Sequence, residues 1–214
     1  MNGVTFLVDG FIVYHSLVDA GFQEGKCLKW LDLHSLLLSY PNLIGGNPIL
    51  HRLHYFSALA NHRLAQDPGV IDRHQAYLKA LESVGANIHL GRFKPCRLAC
   101  KECGKRFFRY EEKETDVAIA VALMEAGLDS STDTVVLVSG DSDLAPALRS
   151  ARVRFPEKQF GVAFPFRRVS EELKRDAGFF WRLKPQIYSA HQFPNRIHLQ
   201  AKAYIQKPRA WRVG

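Results

Sequence analysis

The 214-residue chain is 47% hydrophobic and 23% charged, an ordinary globular balance that excludes a disordered or fibrous chain and allows one substantial α/β core with extensions. No apolar run reaches the roughly 18 residues of a membrane span, and the amino terminus lacks a basic segment followed by an apolar stretch and a cleavage site, so a cytoplasmic protein with no membrane partner is expected. Of the net charge of +8, seven charges fall after residue 176, where Asp and Glu are absent.

Residues 4–8 form a short apolar, β-prone run that ends at Asp9-Gly10, which reads as a buried strand delivering an acid into a turn. Apolar residues near helical spacing predict a helix over 28–39, closed by Pro41, and a strand follows over 52–56. An amphipathic helix is predicted over 72–84, with Gly85 placed where a C-terminal glycine belongs, then a strand over 87–90. Residues 91–113 are polar, basic and cysteine-bearing without helical period, and read as an insertion or hairpin. A nearly all-apolar helix over 116–126 follows, and the β-branched run 134–139 is the clearest strand in the chain. The remainder reads as a helix over 144–153, a strand over 159–163, a helix over 170–176 and a short strand over 179–182. This alternation predicts a three-layer α/β sandwich around a mainly parallel sheet, with sites outside the carboxyl ends of the strands.

Two of the strongest strands run directly into aspartates, Asp9 and Asp141, and Asp143 follows two residues later; Asp116 opens the apolar helix. Taken singly, each is better read as a helix cap or turn residue. Taken together on one sheet edge, the four carboxylates repel one another unless a cation compensates. A hard divalent ion such as Mg²⁺ or Mn²⁺ is the natural counter-ion, and it suits phosphodiester hydrolysis.

Three of the four cysteines crowd at Cys96, Cys100 and Cys103. Cys100-Lys-Glu-Cys103-Gly104-Lys105 looks like a zinc knuckle, but the second Cys-x-x-Cys of a complete site is absent. Free thiols in a surface hairpin are the alternative. If zinc binds, Cys96 offers a third ligand and Cys27, His54 or His89 a fourth. Arg97, Lys101, Lys105, Arg106 and Arg109 would then make the hairpin an RNA-guiding lip. The basic tail, with Lys202, Lys207 and Arg209 among rings such as Tyr188, Phe193, Tyr204 and Trp211, reads equally as an RNA-contacting segment or as a docked extension that covers the core. No metal-binding histidine pair, serine elbow, P-loop or dinucleotide fingerprint is present.

Phe6-Leu7-Val8-Asp9-Gly10-Phe11, then Glu111-Glu112-Lys113-Glu114-Thr115-Asp116-Val117, then Val136-Leu137-Val138-Ser139-Gly140-Asp141-Ser142-Asp143 resemble, in order and spacing, the sequence blocks of the NYN (LabA-like) family. That resemblance extends to Pro165, Ser170 and Leu173, over about residues 3–183. It implies a PIN-like Rossmannoid fold, with a domain over 1–184, a cysteine-bearing hairpin inserted at about 92–112 and a basic extension over 185–214. It also implies metal-dependent cleavage of RNA, with Asp9, Asp116, Asp141 and Asp143 as metal-binding catalytic acids. Ser139 and Ser142 would be supporting hydroxyls, Glu114 an outer partner, and a homo-oligomer is allowed.

The chain departs from the family pattern at Ile12, where many relatives have Asn, and at Ala122, where many have a further acid. These departures make a catalytically weak or inactive RNA-binding module the second reading. Small-molecule chemistry on the same scaffold is the third.

Overall fold

A computed structural model describes residues 2–45, 47–199 and 203–212. Its central sheet has seven strands in the order β4-β3-β2-β1-β5-β6-β7. These are β1 (Asn2–Asp9), β2 (Pro48–Ala58), β3 (Ala86–Ala99), β4 (Arg106–Lys113), β5 (Thr134–Val138), β6 (Gln159–Phe164) and β7 (Phe179–Arg182). All neighbours run parallel except the β3/β4 hairpin.

The period-two alternation of a strand divides the apolar residues between two cores. Val4, Phe6 and Val8 of β1, with Leu53 and Tyr55 of β2, face one side, and Leu7, Phe56 and Leu137 face the other. The first side is covered by α1 (Gly10–Glu24), α2 (Leu33–Leu38), α3 (Pro41–Ile44), α4 (Val70–Glu82) and α8 (Pro185–Ala190). The second is covered by α5 (Thr115–Leu128), α6 (Ala145–Arg154) and α7 (Glu171–Asp176). The fold is therefore the expected three-layer sandwich with a mainly parallel sheet. Strands buried on both faces explain the unbroken apolar runs at β1 and β5.

Three local readings change. The Asp9-Gly10 pair is not a loop: Asp9 caps a 15-residue helix, α1, whose buried stripe is Val13, Ser16, Leu17 and Ala20. That stripe has helical spacing but includes Ser16, whose hydroxyl is satisfied by Tyr188 at 2.8 Å, so it lacks an obvious apolar signature. The helix expected over 28–39 shrinks to α2, because Asp32 caps it by accepting the Ser35 N–H at 3.1 Å, and the preceding residues run extended into the core. Pro41 starts α3 instead of closing a helix, as its missing N–H permits at a first-turn position.

The carboxyl tail is docked. Phe193 and Trp211 pack on the buried Trp30 with ring centroids 5.9 and 6.1 Å away, and Tyr188 is fully buried. These three rings contribute to the core and are not offered to bases, whereas Tyr204 on β9 (Tyr204–Gln206), which pairs with β8 (Arg196–His198), is exposed beneath the Arg196 guanidinium at 4.6 Å. Among the described residues, no helix is long and apolar enough to cross a membrane.

Candidate functional site

β1 lies between β2 and β5, so connections leave it toward both sides of the sheet. Such a switch point opens a crevice outside the carboxyl ends of the flanking strands. Val8 and Val138 are lateral partners, which puts the next residues, Asp9 and Ser139, side by side at this crevice.

A chain of hydrogen bonds fixes their geometry. The Ile12 N–H donates to Asp9 Oδ1 at 3.0 Å and the Ser139 hydroxyl donates to Asp9 Oδ2 at 2.8 Å. The Asp141 N–H in turn donates to Ser139 Oγ at 3.1 Å, and the Asp143 N–H donates to Asp141 Oδ1 at 3.0 Å. Asp9 and Ser139 are buried, Asp141 is half-buried, and Ser142 and Asp143 are exposed in the 3₁₀ turn over Ser142–Leu144. Among the described residues Ser142 makes no side-chain hydrogen bond to the acids. The Ile12 contribution is its backbone N–H, which any non-proline residue supplies.

Two glycines make the approach possible. A Cβ on Gly10 would lie 2.5 Å from the Phe56 carbonyl oxygen and from the Tyr55 ring, and one on Gly140 would lie 2.2 Å from the Arg168 carbonyl oxygen. A side chain at either position forces backbone apart.

The electrostatics identify which acids feel one another. Burial pushes the Asp9 carboxyl up to about 7, against the two hydrogen bonds that favour its charge, and Glu112 and Asp116 add to the rise. Burial also raises Asp116, with further repulsion from Asp141 and Asp143. Glu112 is raised by burial and by Asp116, although the Thr115 hydroxyl donates to its Oε1 at 2.6 Å. The cluster is thus five carboxylates: Asp9, Glu112, Asp116, Asp141 and Asp143.

Glu112 is absent from the sequence-derived set, which named Glu114 instead. Glu114 turns away at φ 82° and pairs with Arg92 at 2.5 Å. Alternation alone would put Glu112 and Glu114 on one face; they differ because β4 ends at Lys113 and Glu114 takes a left-handed backbone as the cap of α5. Ala122 packs in the second core with Ile119 and Leu123.

The donor set fits a hard divalent cation by chemistry, being all oxygen and mutually repulsive. Among the described residues no three His, Cys, Asp or Glu side chains are drawn into a ready coordination sphere. Mg²⁺ needs fewer: it usually keeps several waters and takes one or two carboxylates plus substrate phosphate oxygens. Asp116 and Asp141, partly open and electrostatically coupled, are the pair best placed to hold one.

Past the end of β2, where β3 runs on from its last pairing with β2 at Gly91, lies a cleft of about 400 Å³ whose walls include Asn61, His62, Gly91, Arg92, Phe93 and Tyr110; Phe93 is the cross-strand partner of Glu112. His62 stacks on Tyr110 with centroids 4.5 Å apart and 12° between planes, and leans on Phe93 at 4.6 Å. A larger cleft, about 620 Å³, opens at the opposite edge around Asn2, Asp133 and Gln159, remote from the coupled acids.

Of the cationic residues predicted to guide RNA, Arg97, Lys101, Lys105, Arg106 and Arg109 are exposed on the hairpin, with Arg97 over the Phe108 ring at 5.6 Å. Lys207 is half-buried beside Lys26 and Cys27, past the carboxyl end of α1. Since α1 starts at Asp9 and rises about 1.5 Å per residue, Lys207 sits on the order of 20 Å from the acids. Arg209 is exposed in the 3₁₀ turn over Arg209–Trp211. Lys202 lies outside the described residues. Nearer the crevice the structure places Arg92, and Arg168, which pairs with Asp19 at 2.7 Å beside Gly140; sequence reasoning named neither.

The NYN domain family model matches residues 42–184. This segment contains Glu112, Asp116, Asp141 and Asp143, and the parallel β1/β5 pairing adds Asp9 from outside it. A crystal structure of a Vibrio parahaemolyticus protein of unknown function is similar over 86% of this chain and 93% of its own length, at TM-score 0.56 and 20% identity, a likeness of fold. No curated protein matches the chain.

Proposed function

The chain belongs to the NYN domain family and has its nuclease-type fold, and from that premise we propose that it is a metal-dependent endoribonuclease acting at the five-carboxylate crevice. The observation that carries the proposal is the gathering of Asp9, Glu112 and Asp116, each raised by burial first and by a neighbouring carboxylate second, beside Asp141 and Asp143 at the β1/β5 switch point. Stability alone does not favour such an arrangement, because each raised carboxyl records unfavourable burial or repulsion.

Asp116 and Asp141 would hold Mg²⁺ or Mn²⁺, with Asp143 and Asp9 behind them. The bound cation would lower the pKa of a water and neutralise charge on the phosphodiester. The residues do the rest by position. Ser139 links Asp9 to the Asp141 backbone, so the two acids on adjacent strands move as a unit. Glu112, raised by burial and by Asp116, is the stronger base for it and would accept a proton from the attacking water. Arg92 and Arg168 flank the crevice where phosphates would run, and the His62–Tyr110–Phe93 ring cluster gives a base a stacking wall. RNA in single-stranded form suits that wall, since its bases are free to splay.

End-labelled single-stranded RNA incubated with Mn²⁺ should be cut internally by the wild type, with no cutting in EDTA or by Asp141→Asn. Cutting that persists in both controls would rule the proposal out. The second reading, RNA binding without cleavage, is favoured by one observation: among the described residues no three acids stand close enough together to hold one ion. It predicts a shifted RNA band with no products under the same conditions.

A further inference from the structure

β3 ends at Ala99 and β4 begins at Arg106. The six residues between them form a turn closed by two backbone hydrogen bonds, Cys100 N–H to the Lys105 oxygen and Gly104 N–H to the Cys100 oxygen, both 2.9 Å. Gly104 takes φ +67°, a conformation that side chains strain to adopt. Cys100 opens this turn and Cys103 stands three residues on within it, so one hairpin tip carries both thiols. The turn therefore presents two thiols at one tip, with residues 101–105 all exposed. Two thiols so prearranged are half of a tetrahedral thiolate site.

This chain does not supply the other half. Cys96 lies four residues back along an extended strand, about 13 Å away at about 3.3 Å per residue, against a Zn–S bond of about 2.3 Å. Cys27 follows the far end of α1, which runs back from the carboxyl ends of the strands, whereas the hairpin extends beyond those ends. His54 and His89 are engaged with each other at 2.8 Å within the sheet. Strand geometry thus sets Cys96 and these fourth ligands apart from the pair, and no third His, Cys, Asp or Glu joins it among the described residues.

We propose that Cys100 and Cys103 form a half-site for zinc that a second copy of this chain completes, joining two hairpin tips through one ion held by four thiolates. Such a contact is isologous, with the two-fold axis through the metal. Charge favours it: each tip carries Lys101, Lys105 and Arg106 against Glu102, and two such tips repel. Zinc with four thiolates bears two net negative charges and offsets that repulsion. Phe107 and Phe108, 50% and 60% exposed at the base of the tip, give the joint apolar surface to cover. The tip is otherwise too small for a stable interface, which normally needs more than about 1,000 Å² buried, so the dimer depends on the metal.

The test uses the full chain, reduced and loaded with zinc, with mass from light scattering and metal content from the same fractions. One zinc per two chains at dimer mass is expected, reverting to zinc-free monomer with a chelator and in Cys103→Ser, while Cys96→Ser stays dimeric. Cobalt in place of zinc should give the absorption of four-thiolate tetrahedral coordination. One zinc per monomer, a dimer indifferent to chelation, or no retained zinc would each overturn the proposal. The chelation arm needs no substitution, so a misfolded variant cannot decide the result, and RNA cleavage plays no part in the readout.

Discussion

Asp9→Asn tests the electrostatic reading of the crevice through stability. The wild-type carboxyl rises from 3.8 to about 7 on folding because it is buried. A group with a raised folded-state pKa holds its proton in the native state where the unfolded chain has released it. Its stabilising contribution is therefore complete below about pH 4 and lost as pH climbs through about 7. Three pKa units at about 1.4 kcal/mol each make that loss about 4 kcal/mol, an order-of-magnitude figure. Asparagine keeps an oxygen to accept the Ile12 N–H, but its amide leaves the Ser139 hydroxyl proton without its acceptor, a cost of about 1 kcal/mol. The variant should thus be more stable than wild type by roughly 3 kcal/mol at about pH 8, and no more stable, or slightly less, at about pH 4. Urea unfolding at both pH values, in EDTA, measures this. A variant destabilised equally at the two pH values would refute the reasoning. RNA cleavage by the same variant should be lost.

Mn²⁺ should raise the unfolding midpoint more at about pH 8 than at about pH 6, because the proton that Asp9 holds below about 7 competes with the cation; thermal scans at both pH values check this, and a pH-independent shift would count against the cluster as the binding site. Gly140→Ala must push the Arg168 carbonyl aside, and should cost on the order of 1–3 kcal/mol and lower cleavage, measured by urea unfolding and initial rates. Tyr110→Ala removes the ring against His62; it should raise KM for single-stranded RNA by about tenfold or more while leaving the thermal midpoint nearly unchanged, since base stacking is worth about 1–3 kcal/mol.

The sheet was legible because strands buried on both faces leave continuous apolar runs, as in 4–8 and 134–139. Helix α1 was not, because its buried stripe uses Ser16 and Ala20 and because Asp-Gly is also turn chemistry. Asp9 and Asp141 could be placed together from strand ends alone. Glu112 could not, since its facing depends on the register of an antiparallel edge strand that no local pattern sets. The fate of the basic tail was likewise hidden: whether Phe193 and Trp211 stack on RNA or on Trp30 depends on contacts about 160 and 180 residues apart in sequence.

The central claim is that the acids cut RNA and do not merely sit near it. Single-turnover cleavage and RNA affinity measured side by side for wild type and Asp116→Asn address it most directly. Cleavage should fall by roughly 10² to 10³ while affinity changes little; equal cleavage by the two proteins, or no cleavage by either with tight binding intact, would contradict it.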